Sequence, residues 1–355
     1  MNRITRLQEA MKGHIEAAII RDGSNRRYLT GMKSSAGTVL VTQDQAWLII
    51  DFRYLEEAEA KVRDCAVIEE KNILKQISEM LTAKGIGKAS VAAGSMTIEE
   101  GRMFKEGLEG IELDDGGQLS AIMDEIRKCK DEEEISWHRR AQDITDQAFT
   151  HILDVIRPSI TELDVARELG YTMEKLGGDD RGYNHIVASG PNSSLPHGFA
   201  TNRVLQKGDF VTMDFGSQIN GYFADMTRTV AIGSVTEEQR KVYEIVKEAQ
   251  KRAFDKIAAG AVCKEVDAAA RDYIYAQGYE GCFSHGLGHS VGIDVHENPR
   301  FNEKCTDTLV PGIVMTVEPG IYLKHRFGVR IEDMVVIAEN GFDNLTHSPK
   351  ELIIL

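Results

Sequence analysis

Four acidic side chains stand within segments that are otherwise apolar. Asp214 interrupts Val211-Thr212-Met213-Asp214-Phe215, and Asp225 alternates with Phe223 and Thr227; Glu318 ends an apolar run with the parity of Thr316, and Glu332 lies within the apolar stretch 329–336. Strand alternation puts Thr212 and Asp214 on one face of their strand, and Phe223, Asp225 and Thr227 on one face of the next. The intervening Ser217-Gln218-Ile219-Asn220-Gly221 reads as a hairpin turn centred near 219–220, which predicts Asp214 and Asp225 roughly opposite each other. Like charges facing one another on a buried sheet repel and lose hydration, so the pair requires a cation or a proton. His285-Gly286-Leu287-Gly288-His289 adds two imidazoles, with glycines that let the backbone approach a site closely. Four carboxylates and one imidazole carry too much negative charge for one divalent ion and balance two. Oxygen-rich ligation with a single histidine suits Mn²⁺, Co²⁺, Fe²⁺ or Zn²⁺. Two such ions, about 3.5–4 Å apart, share a water, lower its pKa and supply hydroxide at neutral pH, which is hydrolytic chemistry.

The elements that must carry these residues are legible as an α/β pattern. The first third alternates helices over 3–11, 51–62 and 74–83 with strands over 17–20, 38–41, 47–50 and 66–69. Polarity rises through Arg127-Lys128-Cys129-Lys130-Asp131-Glu132-Glu133-Glu134, placing a domain boundary near 123 and opening a long helix. That helix repeats apolar Trp137, Ala141, Ile144, Ala148, Ile152 and Val155 and stops at Arg157-Pro158. A second spans 162–176, with Ser159 and Glu162 spaced as a capping box and Gly177-Gly178 as its stop. Strands over 184–188, 209–215 and 222–232 follow. The order then repeats: Thr236 and Gln239 cap a helix to about 258, another covers 265–277, and strands resume over 293–296, 314–317 and 329–338. The expectation is a duplicated helix-helix-strand half-fold.

Six segments then agree in order and spacing with one family: Met213-Asp214-Phe215-Gly216, Ala224-Asp225-Met226-Thr227-Arg228-Thr229, Ser284-His285-Gly286-Leu287-Gly288-His289, Val295-His296-Glu297, Val317-Glu318-Pro319-Gly320-Ile321-Tyr322 and Gly328-Val329-Arg330-Ile331-Glu332-Asp333. They resemble the pita-bread metallopeptidases of the aminopeptidase P and prolidase branch. Asn25-Arg26-Arg27-Tyr28-Leu29-Thr30-Gly31 and Asp51-Phe52-Arg53-Tyr54 are similar to the creatinase-type N-terminal domain of those enzymes, so the resemblance spans essentially the whole chain. It implies a creatinase-like α/β domain over 1–122 and a pita-bread catalytic domain over 123–355.

By the same resemblance the metal ligands are Asp214, Asp225, His289, Glu318 and Glu332, holding two divalent ions, Mn²⁺ first among them. His197, in Leu195-Pro196-His197-Gly198, and His296 are implied as donors beside the scissile carbonyl. Glu318 would also carry a proton from the nucleophilic water to the leaving nitrogen, and His285 and Arg330 would support the ligands. Arg300 matches a position where prolidase-like members place an arginine suited to a substrate carboxylate. The chain departs from the family at Gly182-Tyr183-Asn184-His185-Ile186, where relatives often have a Ser-Phe-Asp stretch. His185, His325 and His347 read as ordinary polar histidines.

The implied reaction is hydrolysis of the Xaa-Pro bond, in dipeptides or at the N-terminus of longer peptides. Methionine aminopeptidase shares the five ligands but usually lacks an N-terminal domain, creatinase lacks the full ligand set, and inactive binding modules of this fold generally lose ligands. The net charge of −14 argues against nucleic acid as a partner. The acidity is uneven: residues 1–122 hold 16 basic and 19 acidic groups, whereas 123–355 hold 26 and 37. Five scattered cysteines, at 65, 129, 263, 282 and 305, and an N-terminal stretch with charges inside every short apolar run predict a cytoplasmic protein with reduced thiols and no membrane anchor. The resemblance also implies a homodimer.

Overall fold

The computed structural model describes residues 1–179 and 185–355, in two compact units, Met1–Arg127 and Lys128–Leu355. The strand start expected at 184, and the departure at Gly182-Tyr183-Asn184, lie outside the described residues. Residue 123 sits inside a helix, Gln118–Lys128, which buries Leu119 and Met123. The charged run that follows is the capped start of the next helix: Asp131 accepts from Glu134 N while the Glu134 side chain returns to Asp131 N.

In the first unit, strands β1 (Ala17–Ile20), β2 (Thr38–Thr42), β3 (Ala46–Ile50), β4 (Ala66–Glu69), β5 (Lys88–Val91) and β6 (Glu112–Asp114) form one mixed sheet in the order β4-β3-β2-β1-β5-β6. The β1–β2 and β2–β3 pairs are antiparallel, and the pairs made by β4, β5 and β6 are parallel. Parallel partners need crossovers, and helices Phe52–Lys61, Ile73–Ala83 and Ile98–Gly107 supply them. Fully buried β1 and β2 read as near-continuous hydrophobic runs, broken only by Thr38 and Thr42 at the ends of β2, because both of their faces are covered.

The second unit opens with α1 (Glu132–Val155) and α2 (Glu162–Lys175), then β7 (Ile186–Ser189), β8 (Phe210–Phe215), β9 (Gln218–Ile219), β10 (Tyr222–Phe223) and β11 (Met226–Ala231). After α3 (Glu237–Phe254) and α4 (Cys263–Ala276) come β12 (Gly288–Ser290), β13 (Glu297–Phe301), β14 (Val314–Val317), β15 (Gly320–Leu323), β16 (Phe327–Arg330), β17 (Asp333–Ile337) and β18 (Phe342–Asn344). The two larger sheets run β11-β8-β7 and β13-β12-β14-β17-β18, all antiparallel. The helix-helix-strand order therefore occurs twice. Each helix pair buries a stripe at helical spacing, Ala141, Ile144, Ala148 and Ile152 on α1 and Val242, Val246, Ala249 and Ala253 on α3, against its own part of the core. No helix among the described residues is long and apolar enough to cross a membrane.

Four local expectations are corrected. Asp214 pairs with Thr227 rather than Asp225. The ladder ends at Phe215–Met226, and a separate two-residue hairpin, β9–β10, follows with Asn220 and Gly221 at positive φ. The displacement is two residues, so parity survives and Asp214, Thr227 and Asp225 keep the same face. Ser159 does not cap α2; it lies at φ +89°, and Thr161 with Asp164 forms the capping box. Residues 293–296 form no strand, because they lie in the connection between β12 and β13, whose first paired residue is Glu297 opposite Ser290. Finally, the expected strand 329–338 is broken at Ile331-Glu332, because β14 and β17 pair in one sheet while β15 and β16 pair in another.

Gly216 marks the point where β8 and the returning chain separate. A Cβ there would lie 1.8 Å from the carbonyl oxygen of Ala224, the residue before Asp225. Gly216→Ala should therefore destabilise the protein by about 3 kcal/mol or more, since neither backbone strand has room to move; chemical denaturation checks this, and an unchanged midpoint would contradict it.

Candidate active site

The breaks just described are where the acids sit. Glu318 follows β14 and Glu332 precedes β17, each at the point where a strand leaves one sheet for the other. Both backbones are tied to neighbouring segments, with Glu318 N donating to Leu287 O at 2.8 Å and Glu332 N to Thr227 O at 3.1 Å. These bonds bring the crossing strands against the His285–His289 segment and β11. Asp214 leaves the end of β8, Asp225 precedes β11, and His289 lies at the centre of β12 opposite Arg300 of β13.

All ten residues singled out in the sequence, His197, Asp214, Asp225, His285, His289, His296, Arg300, Glu318, Arg330 and Glu332, line one cavity of about 660 Å³. Within it, Asp225, His289 and Glu332 each offer a ligand atom within 4.8 Å of the others. Glu318 approaches this trio, its Oε1 lying 3.4 Å from His289 Nε2. Asp214 stands slightly apart, with its Oδ2 2.7 Å from a guanidinium nitrogen of Arg330.

The histidine tautomers follow from their neighbours. His289 Nδ1 lies 3.2 Å from the carbonyl oxygen of Ser290, which only accepts, so Nδ1 carries the proton. Its Nε2 lone pair then faces Asp225 Oδ2 at 3.6 Å and Glu318 Oε1 at 3.4 Å. Burial, then nearby His296, lowers the His289 pKa to about 3, so the ring is neutral and Nε2 keeps its lone pair. His285 is similar: Nδ1 donates to Gly286 O at 2.8 Å, leaving Nε2 to accept from the Tyr322 hydroxyl at 2.8 Å. Tyr322 in turn accepts from Arg330 Nη1 at 2.9 Å, and burial pushes its pKa up to about 12, keeping it a phenol.

The carboxylates show the opposite strain. Burial, then repulsion from Glu332, raises Glu318 well above the ordinary range; burial, then Asp225 and Asp214, does the same to Glu332. Arg330 is the cation nearest these acids, yet it reaches Glu332 only through Thr227, whose hydroxyl accepts from Arg330 Nε at 3.0 Å and donates to Glu332 Oε2 at 2.6 Å. Converging lone pairs and buried acids with raised pKa values are what a divalent cation satisfies, so the donor set fits metal. Thr227 and Tyr322 were not singled out by sequence reasoning. Strand parity with Asp225 could have found Thr227, whereas Tyr322 joins the site only through the β15–β16 hairpin.

The profile of metallopeptidase family M24 matches residues 136–339, and that of the creatinase/prolidase N-terminal domain matches residues 3–129. The chain belongs to metallopeptidase family M24. Its cofactors are accordingly divalent metal ions, and its fold is the creatinase-type domain followed by a pita-bread catalytic domain. A Xaa-Pro dipeptidase of Pyrococcus horikoshii is 36% identical over 352 residues, covering 96% of this chain and 95% of the relative. Among solved structures, a Xaa-Pro dipeptidase from Bacillus anthracis matches with a TM-score of 0.95 at 37% identity, covering 99% of both chains. An X-Pro aminopeptidase from Thermotoga maritima matches with a TM-score of 0.93 at 33% identity, covering 100% of both.

A cation entering this M24 site must displace the protons that burial and repulsion place on Glu318 and Glu332. Protons compete at low pH, so the apparent affinity of chelator-stripped protein for Mn²⁺ should rise as pH climbs above the ordinary carboxylate range, with proton release on binding. Calorimetry in two buffers of different ionisation enthalpy measures that release; pH-independent affinity without it would contradict the assignment.

Proposed function

We propose that this chain is a dinuclear Xaa-Pro exopeptidase whose ligands are Asp214, Asp225, His289, Glu318 and Glu332, with Mn²⁺ the leading metal. The observation that carries this reading is the convergence of all five donors, three histidines and two arginines on one cavity. When bound, the ions would supply Lewis acidity and a hydroxide at neutral pH.

The chain's own groups do the rest. Glu318, a carboxylate on the cavity wall, accepts a proton on an oxygen from the attacking water and delivers it to the departing prolyl nitrogen. That delivery matters because an Xaa-Pro amide nitrogen carries no hydrogen. His296, whose pKa is lowered by burial and then by Arg300, stays neutral at physiological pH and offers an N–H toward the carbonyl oxygen. His197, which lines the same cavity, offers a second donor. His285 and Arg330 hold their orientation through Tyr322, with Arg330 also fixing Asp214.

Substrate length is the finer question, and Arg300 favours the dipeptide. Its guanidinium lines the cavity and makes no ion pair or hydrogen bond among the described residues, leaving its donors for a carboxylate beside the scissile bond. The named relatives include both dipeptidase and aminopeptidase, so the two activities are compared directly. A homodimer and a cytoplasmic location belong to the same reading and rest on the family resemblance.

With Mn²⁺ added, the protein should cleave Xaa-Pro faster than Xaa-Pro-Yaa and leave Met-Ala intact. Arg300→Ala should lower kcat/KM on the dipeptide by about 10- to 100-fold, the worth of a lost charged hydrogen bond, with little change on the tripeptide. Cleavage of neither proline peptide would overturn the proposal, and equal losses on both would overturn the role of Arg300.

A further inference from the structure

His197 is the proposed donor least tied down by its own contacts. Its side chain is exposed to the cavity, and among the described residues the ring makes no hydrogen bond. Its placement is therefore set by its backbone, in the excursion from Ser189 at the end of β7 to Thr201.

Both ends of that excursion converge on one fully buried carboxylate, Glu162, the first residue of α2. Oε1 accepts from Ser189 N and Ser189 Oγ, both at 2.7 Å, and from Asn192 Nδ2 at 3.1 Å. Oε2 accepts from Thr201 N at 3.0 Å and from the Thr201 hydroxyl. The stitching is reciprocal, since Glu162 N and Leu163 N, two of the amides left unpaired at the start of a helix, donate to Arg203 O and Thr201 O. Arg203 closes the base by reaching Ser189 Oγ at 2.6 Å while pairing with Asp209 through both terminal nitrogens. Gly190 is required here: a Cβ would lie 2.4 Å from Asp209 Oδ1.

We infer that Glu162 is a positioning residue for His197, fixing the loop that presents the imidazole to the substrate carbonyl. This rests on the proposed role of His197. The chemistry calls for a carboxylate specifically. Two backbone N–H groups, of Ser189 and Thr201, approach different oxygens, and hydroxyls can turn whereas backbone amides cannot. An amide side chain offers one oxygen and one NH₂, so Glu162→Gln must set a donor against one of the two backbone amides and release one end of the loop.

The test uses the full-length Mn²⁺-loaded enzyme with an Xaa-Pro dipeptide, comparing Glu162→Gln, His197→Ala and the double variant, with bound metal and thermal midpoint measured for each. Glu162→Gln should lower kcat by about 10- to 100-fold, as misplacement of a catalytic group does, with KM and metal content nearly unchanged. In the His197→Ala background the same change should have almost no further effect on kcat, because the group it positions is gone. Thr201→Val, which keeps the carboxylate and both backbone amides, should give a smaller loss that also vanishes without His197, and it serves if Glu162→Gln does not fold. Multiplicative losses in the double variant, or unchanged kcat in folded Glu162→Gln, would overturn the inference while leaving the reading of His197 intact. Unchanged kcat in His197→Ala would overturn that reading, and the inference with it.

Discussion

Mutual repulsion among buried acids is the constraint on which this catalytic unit is built. Asp214, Asp225, Glu318 and Glu332 line one cavity, and burial penalises the charges of Glu318 and Glu332 before any neighbour is considered. A fold that places them there must hold each backbone against that repulsion until cations arrive. The arrangement of strand breaks meets this need, because Asp225, Glu318 and Glu332 sit just outside paired segments and Asp214 one residue from the end of β8. The backbone there is anchored on at least one side yet free to aim its side chain inward.

Around this cluster lies a set of buried charged groups that are fully partnered and whose partners belong to segments carrying site residues. Asp267 and Arg271 pair along α4 and reach Leu287 N, Phe283 O and His285 O, fixing the stretch that leads to His289. Arg228 joins Asp333 to the carbonyl oxygen of Glu332. Lys130 lies 3.0 Å from Glu297 and 3.1 Å from Ser290 Oγ, touching the neighbours of both His296 and His289. Glu162 does the same for the His197 loop. Such groups add little net stability compared with apolar replacements, since desolvation offsets their attraction. What they supply is direction, because a hydrogen bond constrains angle and distance where apolar contact does not.

The duplicated helix-helix-strand order has a consequence for this layout. Each half brings a helix pair and a strand group of its own, and the proposed ligands come from both, Asp214 and Asp225 from the first and His289, Glu318 and Glu332 from the second. The cavity lies where the halves meet, so neither half alone holds the complete donor set.

The sequence by itself determined which residue types could do chemistry and which face of a strand each would occupy. Parity is a local property with a period of two, so Asp214, Asp225 and Thr227 kept their common face even though the hairpin register shifted by two. Caps behaved likewise where one pattern was present, as with Thr236 and Gln239, and misled where two overlapped. Ser159 with Glu162 and Thr161 with Asp164 both match a capping box, and tertiary structure chose the second by drawing Glu162 inward to donors 27 to 39 positions away. The tautomers of His285 and His289, the bridge from Arg330 through Thr227 to Glu332, and the breaks that expose Glu318 and Glu332 were decided in the same way. They depend on partners brought together from distant parts of the chain, and no local period or spacing encodes that meeting.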